Sequence, residues 1–150
     1  MPLCRLFVLL VCLATALPAA AADSQQPSAN LTPHEVVAAQ LAALRDNTPD
    51  GLARVFAFAS PANRAVTGPV TRFVAMLREG YPELLGHRRA DFGELLVHGD
   101  EAAQAVEIID GDGRGHRYVF LLSRQHGGSC PECWMTDGVV NAPAEDGLAI

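Results

Sequence analysis

Lysine is absent from this chain of 150 residues; its eleven permanently basic side chains are all arginine. Against 17 acidic residues they leave a formal charge of −6. A chain this acidic repels nucleic acid and anionic lipid at long range, so neither is an expected partner. With abundant alanine, the missing lysine reads as the composition of a GC-rich bacterial genome. Aromatic residues are scarce at 6%, with one Trp and two Tyr. Long apolar runs are also lacking. The main one, Leu6–Leu17, has 12 residues, whereas a membrane-spanning helix needs about 20. No Gly-x-Ser-x-Gly, His-Glu-x-x-His, Walker loop or dinucleotide fingerprint occurs, so no motif marks a reaction. Disorder is excluded as well, because 49% of residues are hydrophobic and only 19% are charged.

What is present begins with a leader. Arg5 precedes the apolar stretch, Pro18 ends it, and Ala20-Ala21-Ala22 offers small residues for cleavage before Asp23. This is the tripartite pattern of a secretory signal peptide over residues 1–22. A lipoprotein with Cys12 as the lipidated residue fits less well, since Val11 stands where a small residue belongs. Removal of the leader from the 150 residues leaves 128, with ten Arg against 17 acids and a net charge of −7. That length suffices for one domain with its own core. The expected location is the periplasm or the exterior, with no membrane contact after cleavage. Only Cys130 and Cys133 then remain.

Residues 23–31 read as a flexible lead-in. Thr32-Pro33-His34-Glu35 is a capping box with proline at the first helical position. Val37, Leu41 and Leu44 follow at helical spacing, which predicts a helix over 33–46. Thr48-Pro49-Asp50 starts a second helix with a stripe of Leu52, Val55, Phe56 and Ala59. Ser60-Pro61 breaks it and caps a short turn through Arg64. After Gly68-Pro69, Val70, Phe73, Val74 and Leu77 form a third helical stripe closed by Gly80 and Pro82. The second half changes period. Strands are predicted over 90–98, 102–110, 116–124 and 134–140. The first and second are taken as adjacent, Asp110–Gly115 turns between the second and third, and His126–Cys133 turns between the third and fourth. Residues 141–150 read as a disordered tail, leaving 32–140 as a single α+β domain. N-terminal helices should pack on a curved antiparallel sheet. Along the third strand Tyr118, Phe120 and Leu122 point one way and Val119 and Leu121 the other, so both faces should be covered.

Several segments resemble a known family: VVAAQLAALRDNTPDGLARVFAFASPANR, GPVTRFVAMLREGYPELLGHRR, AVEIIDGDGRGHRYVFLLSRQHGG and WMTDGVV. Their order and spacing are similar to an uncharacterised bacterial family known as domain of unknown function 4864, over about residues 34–140. The most specific pieces are Phe58-Ala59-Ser60-Pro61 with Arg64, and Arg78-Glu79-Gly80-Tyr81-Pro82. The resemblance implies a nuclear transport factor 2-like (SnoaL-like) cone of helices wrapped by a bent sheet. It implies no reaction. The chain departs from the family pattern at Val66-Thr67 and in the added Ser129–Cys133 segment.

Candidate chemistry is sparse. Cys130-Pro-Glu-Cys133 admits a disulfide closing a hairpin tip, a redox dithiol, or half of a zinc site. The disulfide is the expected state, because a hairpin lacks the helix N-terminus a redox pair uses and only His126 lies nearby as a third ligand. Asp110-Gly-Asp112-Gly113 looks like a calcium loop, but its twelfth position is Leu121 rather than Glu. No metal and no cofactor are expected. Arg64, Arg72, Arg78, Arg88 and Arg89 make the only basic region, and Arg64, Arg78 and Tyr81 are the candidate ligand-binding residues. For acid–base chemistry the groups on offer are Tyr81, His98, His116, Tyr118 and Asp137. Asp137, between Thr136 and Gly138 in an apolar strand, is the candidate catalytic carboxylate. The expected function is a secreted, non-catalytic binding or interaction domain for an unknown small ligand or protein. The alternatives are a cavity enzyme of isomerase, cyclase or hydratase type, and a metal- or redox-responsive module through Cys130 and Cys133. A homodimer through the sheet is expected, on the face of Val119 and Leu121 extended by Met135 and Val139.

Overall fold

A computed structural model describes residues 25–142; the leader and most of the C-terminal tail lie outside the described residues. The first helix, α1, spans Pro33–Asp46 and begins where its capping box places it. The Glu35 amide donates to Thr32 Oγ1 at 3.3 Å, and the Thr32 amide donates to the Glu35 carboxylate at 2.8 Å. Asn47, in a left-handed conformation with φ 49°, ends the helix. Helix α2, Pro49–Ala57, repeats the Thr-Pro start, with the Gly51 amide donating to Thr48 Oγ1 at 3.0 Å.

Among the described residues four helices stand where three were expected. The Ser60-Pro61 segment continues past Arg64 into a helix of its own, α3, Pro61–Thr67. Ser60 caps it, proline occupies its first turn, and Gly68 stops it. A Cβ at Gly68 would sit 2.7 Å from the Arg64 carbonyl oxygen and 3.1 Å from the Phe56 ring, so only glycine lets α3 turn here into α4. Helix α4 spans Val70–Gly80 and leads into a 3-10 turn, Pro82–Leu84.

The second half is an antiparallel meander in the order β1-β2-β3-β4. The strands are β1, Arg89–His98; β2, Glu101–Ile109; β3, Gly115–Arg124; and β4, Trp134–Ala142. The fold is therefore α+β, with the helices N-terminal to the sheet. The core lies between them. Ala102, Val106 and Ile108 of β2, Tyr118, Phe120 and Leu122 of β3, and Trp134 of β4 are buried against Val36, Val37, Leu41, Leu44, Leu52 and Phe58. Each large apolar side chain buried there contributes about 1.5–3 kcal/mol.

Two β-bulges shape the sheet, and neither is visible as a break in the sequence. In β1 the register shifts between Phe92 and Leu95. The buried Gln104 side chain holds this bulge, donating to the carbonyls of Gly93 and Glu94 at 3.1 and 3.3 Å. In β4 the register shifts at Asp137, so that Thr136 stands opposite Leu122 and Gly138 opposite Leu121. This extra residue reverses the alternation beyond it. Val139 consequently lies opposite Phe120 on the helix side, and Val140 lies opposite Val119. The expectation that Met135 and Val139 extend the Val119–Leu121 face is corrected for Val139, which packs against the core; Met135 precedes the bulge, stands opposite Ser123 on the Val119–Leu121 side, and is buried there.

Candidate functional site

The connection between α2 and α3 does more than turn the chain. Thr136 donates its amide to the Phe58 carbonyl at 2.8 Å, and Ser60 donates its amide to the Thr136 carbonyl at 2.8 Å. Phe58-Ala59-Ser60 thus adds a short parallel bridge to the free side of β4 at Thr136. Phe58 and Ser60 are both buried. Ser60 Oγ accepts from the Asn63 amide at 3.2 Å, and Asn63 Nδ2 returns to the Thr136 carbonyl at 3.1 Å. Arg64 closes the unit. Its Nε donates to the Ala59 carbonyl at 2.8 Å and its Nη2 to the Ala57 carbonyl at 2.6 Å. The guanidinium also lies over Phe56, 5.7 Å from the ring centre.

This docking seats α3 and α4 beside β4 and leaves a cavity of about 420 Å³ between the helices and the sheet. Leu44, Phe73, Leu77 and Phe120 are among its apolar lining residues. Its polar groups are largely tied to one another. Thr136 Oγ1 donates to Gln40 Oε1 at 2.8 Å, and Gln40 Nε2 reaches the Val55 carbonyl at 3.4 Å. Tyr81 donates its hydroxyl to the Val139 carbonyl at 3.0 Å. Asp137 is different. It is the extra residue of the β4 bulge, it lines the cavity, and it is exposed. Bulges commonly re-aim a side chain beside a site. Among the described residues, Asp137 and Tyr81 are the only titratable side chains in the lining.

Behind Tyr81 stands a second tyrosine. The rings of Tyr81 and Tyr118 are 6.2 Å apart, and Tyr118 donates its hydroxyl to Glu83 at 3.0 Å. Burial, reinforced by the Glu83 carboxylate, pushes the Tyr118 hydroxyl far above the usual phenol range, so it stays protonated as a donor.

The sequence candidates fall into two groups. Tyr81 and Asp137 meet at the cavity. Arg64 and Arg78 do not line it: Arg64 is turned onto backbone carbonyls and Arg78 is exposed on α4. His98 is exposed, and His116 Nε2 meets the Asp110 carboxylate at 2.8 Å; neither lines the cavity. Cys130 and Cys133 form a disulfide in the β3–β4 loop. Among the described residues no group of three His, Cys, Asp or Glu is placed to hold a metal ion. Sequence reasoning missed Gln40, Asn63 and Thr136. A signal did exist: Gln40 interrupts the apolar stripe of Val37, Leu41 and Leu44, and Thr136 interrupts an apolar strand. A buried polar residue in such a position must find a partner.

The family model described as a domain of unknown function, DUF4864, matches residues 26–147. No curated protein and no solved structure matches the chain.

Proposed function

We propose a binding function for this chain, which belongs to the DUF4864 family of domains of unknown function: it takes a small, mainly apolar molecule into the cavity beside β4. The cavity itself carries the reading. At about 420 Å³ it falls within the range of small-molecule sites, and it joins an apolar lining to one exposed carboxylate at Asp137. The ligand class that suits it is a compact hydrophobic body with a hydrogen-bond donor or a cation to meet Asp137. We read the site as non-catalytic. Among the described lining residues Asp137 stands without a second free titratable group, since Tyr81 donates its hydroxyl to the Val139 carbonyl, and we take Asp137 as a ligand contact.

The setting we propose is a bacterial periplasm or exterior, and the helix-and-sheet layout suits a nuclear transport factor 2-like cone. Support for the compartment comes from the signal-like pattern of residues 1–22 and from the Cys130–Cys133 disulfide, which persists in oxidising surroundings. Among the described residues no helix is long and apolar enough to cross a membrane.

The test uses the full chain and an uncharged fluorescent probe, N-phenylnaphthylamine. The expected result is binding of one probe per chain with a blue-shifted emission. Ala62→Trp, at a solvent-exposed position of α3 that lines the cavity, should weaken it by blocking entry. Asp137→Asn should leave this uncharged probe bound while weakening cationic analogues of it. Absence of probe binding, together with native mass spectra that contain no retained small molecule, would overturn the proposal.

A further inference from the structure

Four exposed large apolar side chains, Phe92, Leu95, Leu96 and Val97, lie together on β1, at the sheet edge farthest from the cavity. Strand β1 is the terminal strand of the order β1-β2-β3-β4, so its outer backbone edge meets no other strand among the described residues. Its bulge sorts the side chains. Phe92, Leu95 and Val97 stand opposite Val106, Gln104 and Ala102, all of which are buried on the helix side. Glu94, Leu96 and His98 consequently belong to the other face. The helices do not cover this stretch of either face: Leu95 is 37% exposed, Leu96 59% and Val97 53%. A partner laid flat on the outer sheet face would cover Leu96, Leu121 and Val140, and leave Leu95 and Val97 in water. A strand added along the edge covers both faces together and satisfies the open backbone groups.

We propose that this strand is β1 of a second copy, paired antiparallel about a two-fold axis at Leu96. In that register Leu95 faces Val97 twice, Leu96 faces its own copy, and Glu94 faces His98 twice. Apolar side chains meet apolar ones, and each carboxylate meets an imidazole N–H. Neither neighbouring centre does as well. An axis at Leu95 sets Glu94 against Leu96 and Phe92 against His98; an axis at Val97 sets Glu94 against Asp100, a like-charge pair. Within its own chain neither Glu94 nor His98 makes a side-chain hydrogen bond or ion pair among the described residues, so both are available. The arrangement is isologous and closed. It also leaves both cavities open, because they lie beside β4 at the other edge. The bulge at Gly93 and Glu94 ends the regular edge, so the pairing is five residues long and limited in strength.

Sedimentation equilibrium of the full chain at high micromolar concentration tests this. The expected species is a dimer. Glu94→Lys, which sets a cation against His98 twice, should raise the dissociation constant about tenfold. His98→Glu should do the same by facing two carboxylates. The double variant Glu94→Lys/His98→Glu should restore association, which neither a folding defect nor a sheet-face contact explains. Val97→Lys should abolish the dimer, and Leu121→Lys should leave it intact. A monomeric wild type overturns the proposal, including one that dimerises only after residues 143–150 are removed. A dimer broken by Leu121→Lys but not by Val97→Lys overturns it too and places the interface on the sheet face. A dimer that survives both Glu94→Lys and His98→Glu singly overturns the register.

Discussion

Thr136 and Gln40, 96 residues apart, share a buried hydrogen bond of 2.8 Å that ties β4 to α1. Thr136 is the donor, so its loss leaves the Gln40 carbonyl oxygen buried without a partner. The expected penalty for Thr136→Val is about 1–3 kcal/mol, the desolvation cost of an orphaned acceptor. Replacing both residues, as Gln40→Leu/Thr136→Val, should recover part of that loss, because no polar atom is then left unpaired. Urea midpoints of the two single variants and the double variant give the coupling directly. Additive losses would mean that the bond does not join the two elements.

Arg64 was a candidate ligand contact on sequence grounds, and its geometry assigns it a positioning task. Two of its donors sit on the Ala57 and Ala59 carbonyls, at the end of α2 and at the bridge to β4. Lysine cannot reproduce that planar fork. Arg64→Lys should therefore lower stability by about 1.5–3 kcal/mol, the range for hydrogen bonds to a charged group. Probe affinity should be unchanged once the variant is folded. Unchanged stability with weakened binding of an anionic ligand would return Arg64 to the list of contacts.

The contrast between these residues and the rest of the fold marks where sequence reasoning reaches. Helix α1 was legible to its ends because Thr32, Pro33 and Glu35 act locally, within one turn. The strands were legible because burial on one face imposes alternation, as in Tyr118, Phe120 and Leu122. The β4 bulge was not, because nothing in Thr136-Asp137-Gly138 states that one residue will be skipped; β3 decides it by the register it offers. That one insertion moved Val139 to the core and freed Asp137 from the ladder. The backbone contacts of Arg64 and the buried bond of Thr136 were not legible for a related reason. Their partners are main-chain groups or distant side chains, which carry no identity in the one-dimensional pattern.

The disulfide closes a very short loop, with Cys130 and Cys133 three positions apart. The loop is also tied by its backbone: Gln125 donates to the Cys133 carbonyl at 2.9 Å and Glu132 donates to the Gln125 carbonyl at 2.6 Å. Cross-linking so few residues restricts the unfolded chain little. Cys130→Ser/Cys133→Ser should cost about 2 kcal/mol or less and leave circular dichroism unchanged. Collapse of the fold in this variant would show that the clip carries much more than chain entropy.

Acid should destabilise the protein in two steps set by two different groups. His87 is buried, and its Nδ1 donates to the Leu84 carbonyl at 2.8 Å. Burial, with the Arg45 charge adding to it, holds its pKa below the ordinary histidine value despite the opposing effect of that hydrogen bond. The unfolded chain therefore takes up this proton first as pH falls, and stability is lost below about pH 6.5, the ordinary histidine value. Asp110 acts lower on the scale. Its Oδ1 accepts from the Arg114 and Asp112 amides, each at 2.9 Å, and its Oδ2 meets His116 at 2.8 Å. The Arg114 amide, followed by His116, holds this carboxyl far below the usual carboxylate range. Its contribution is complete above about pH 4, the ordinary carboxylate value, and is lost as pH falls further. Urea midpoints at pH 8, 5.5 and 3 separate the two groups. His87→Asn keeps a donor for the Leu84 carbonyl and should flatten the change between pH 8 and 5.5. Asp110→Asn should be less stable than wild type at pH 8 and 5.5, with the gap narrowing at pH 3. A gap that stays constant down to pH 3 would show that the Asp110 charge does not stabilise the hairpin between β2 and β3.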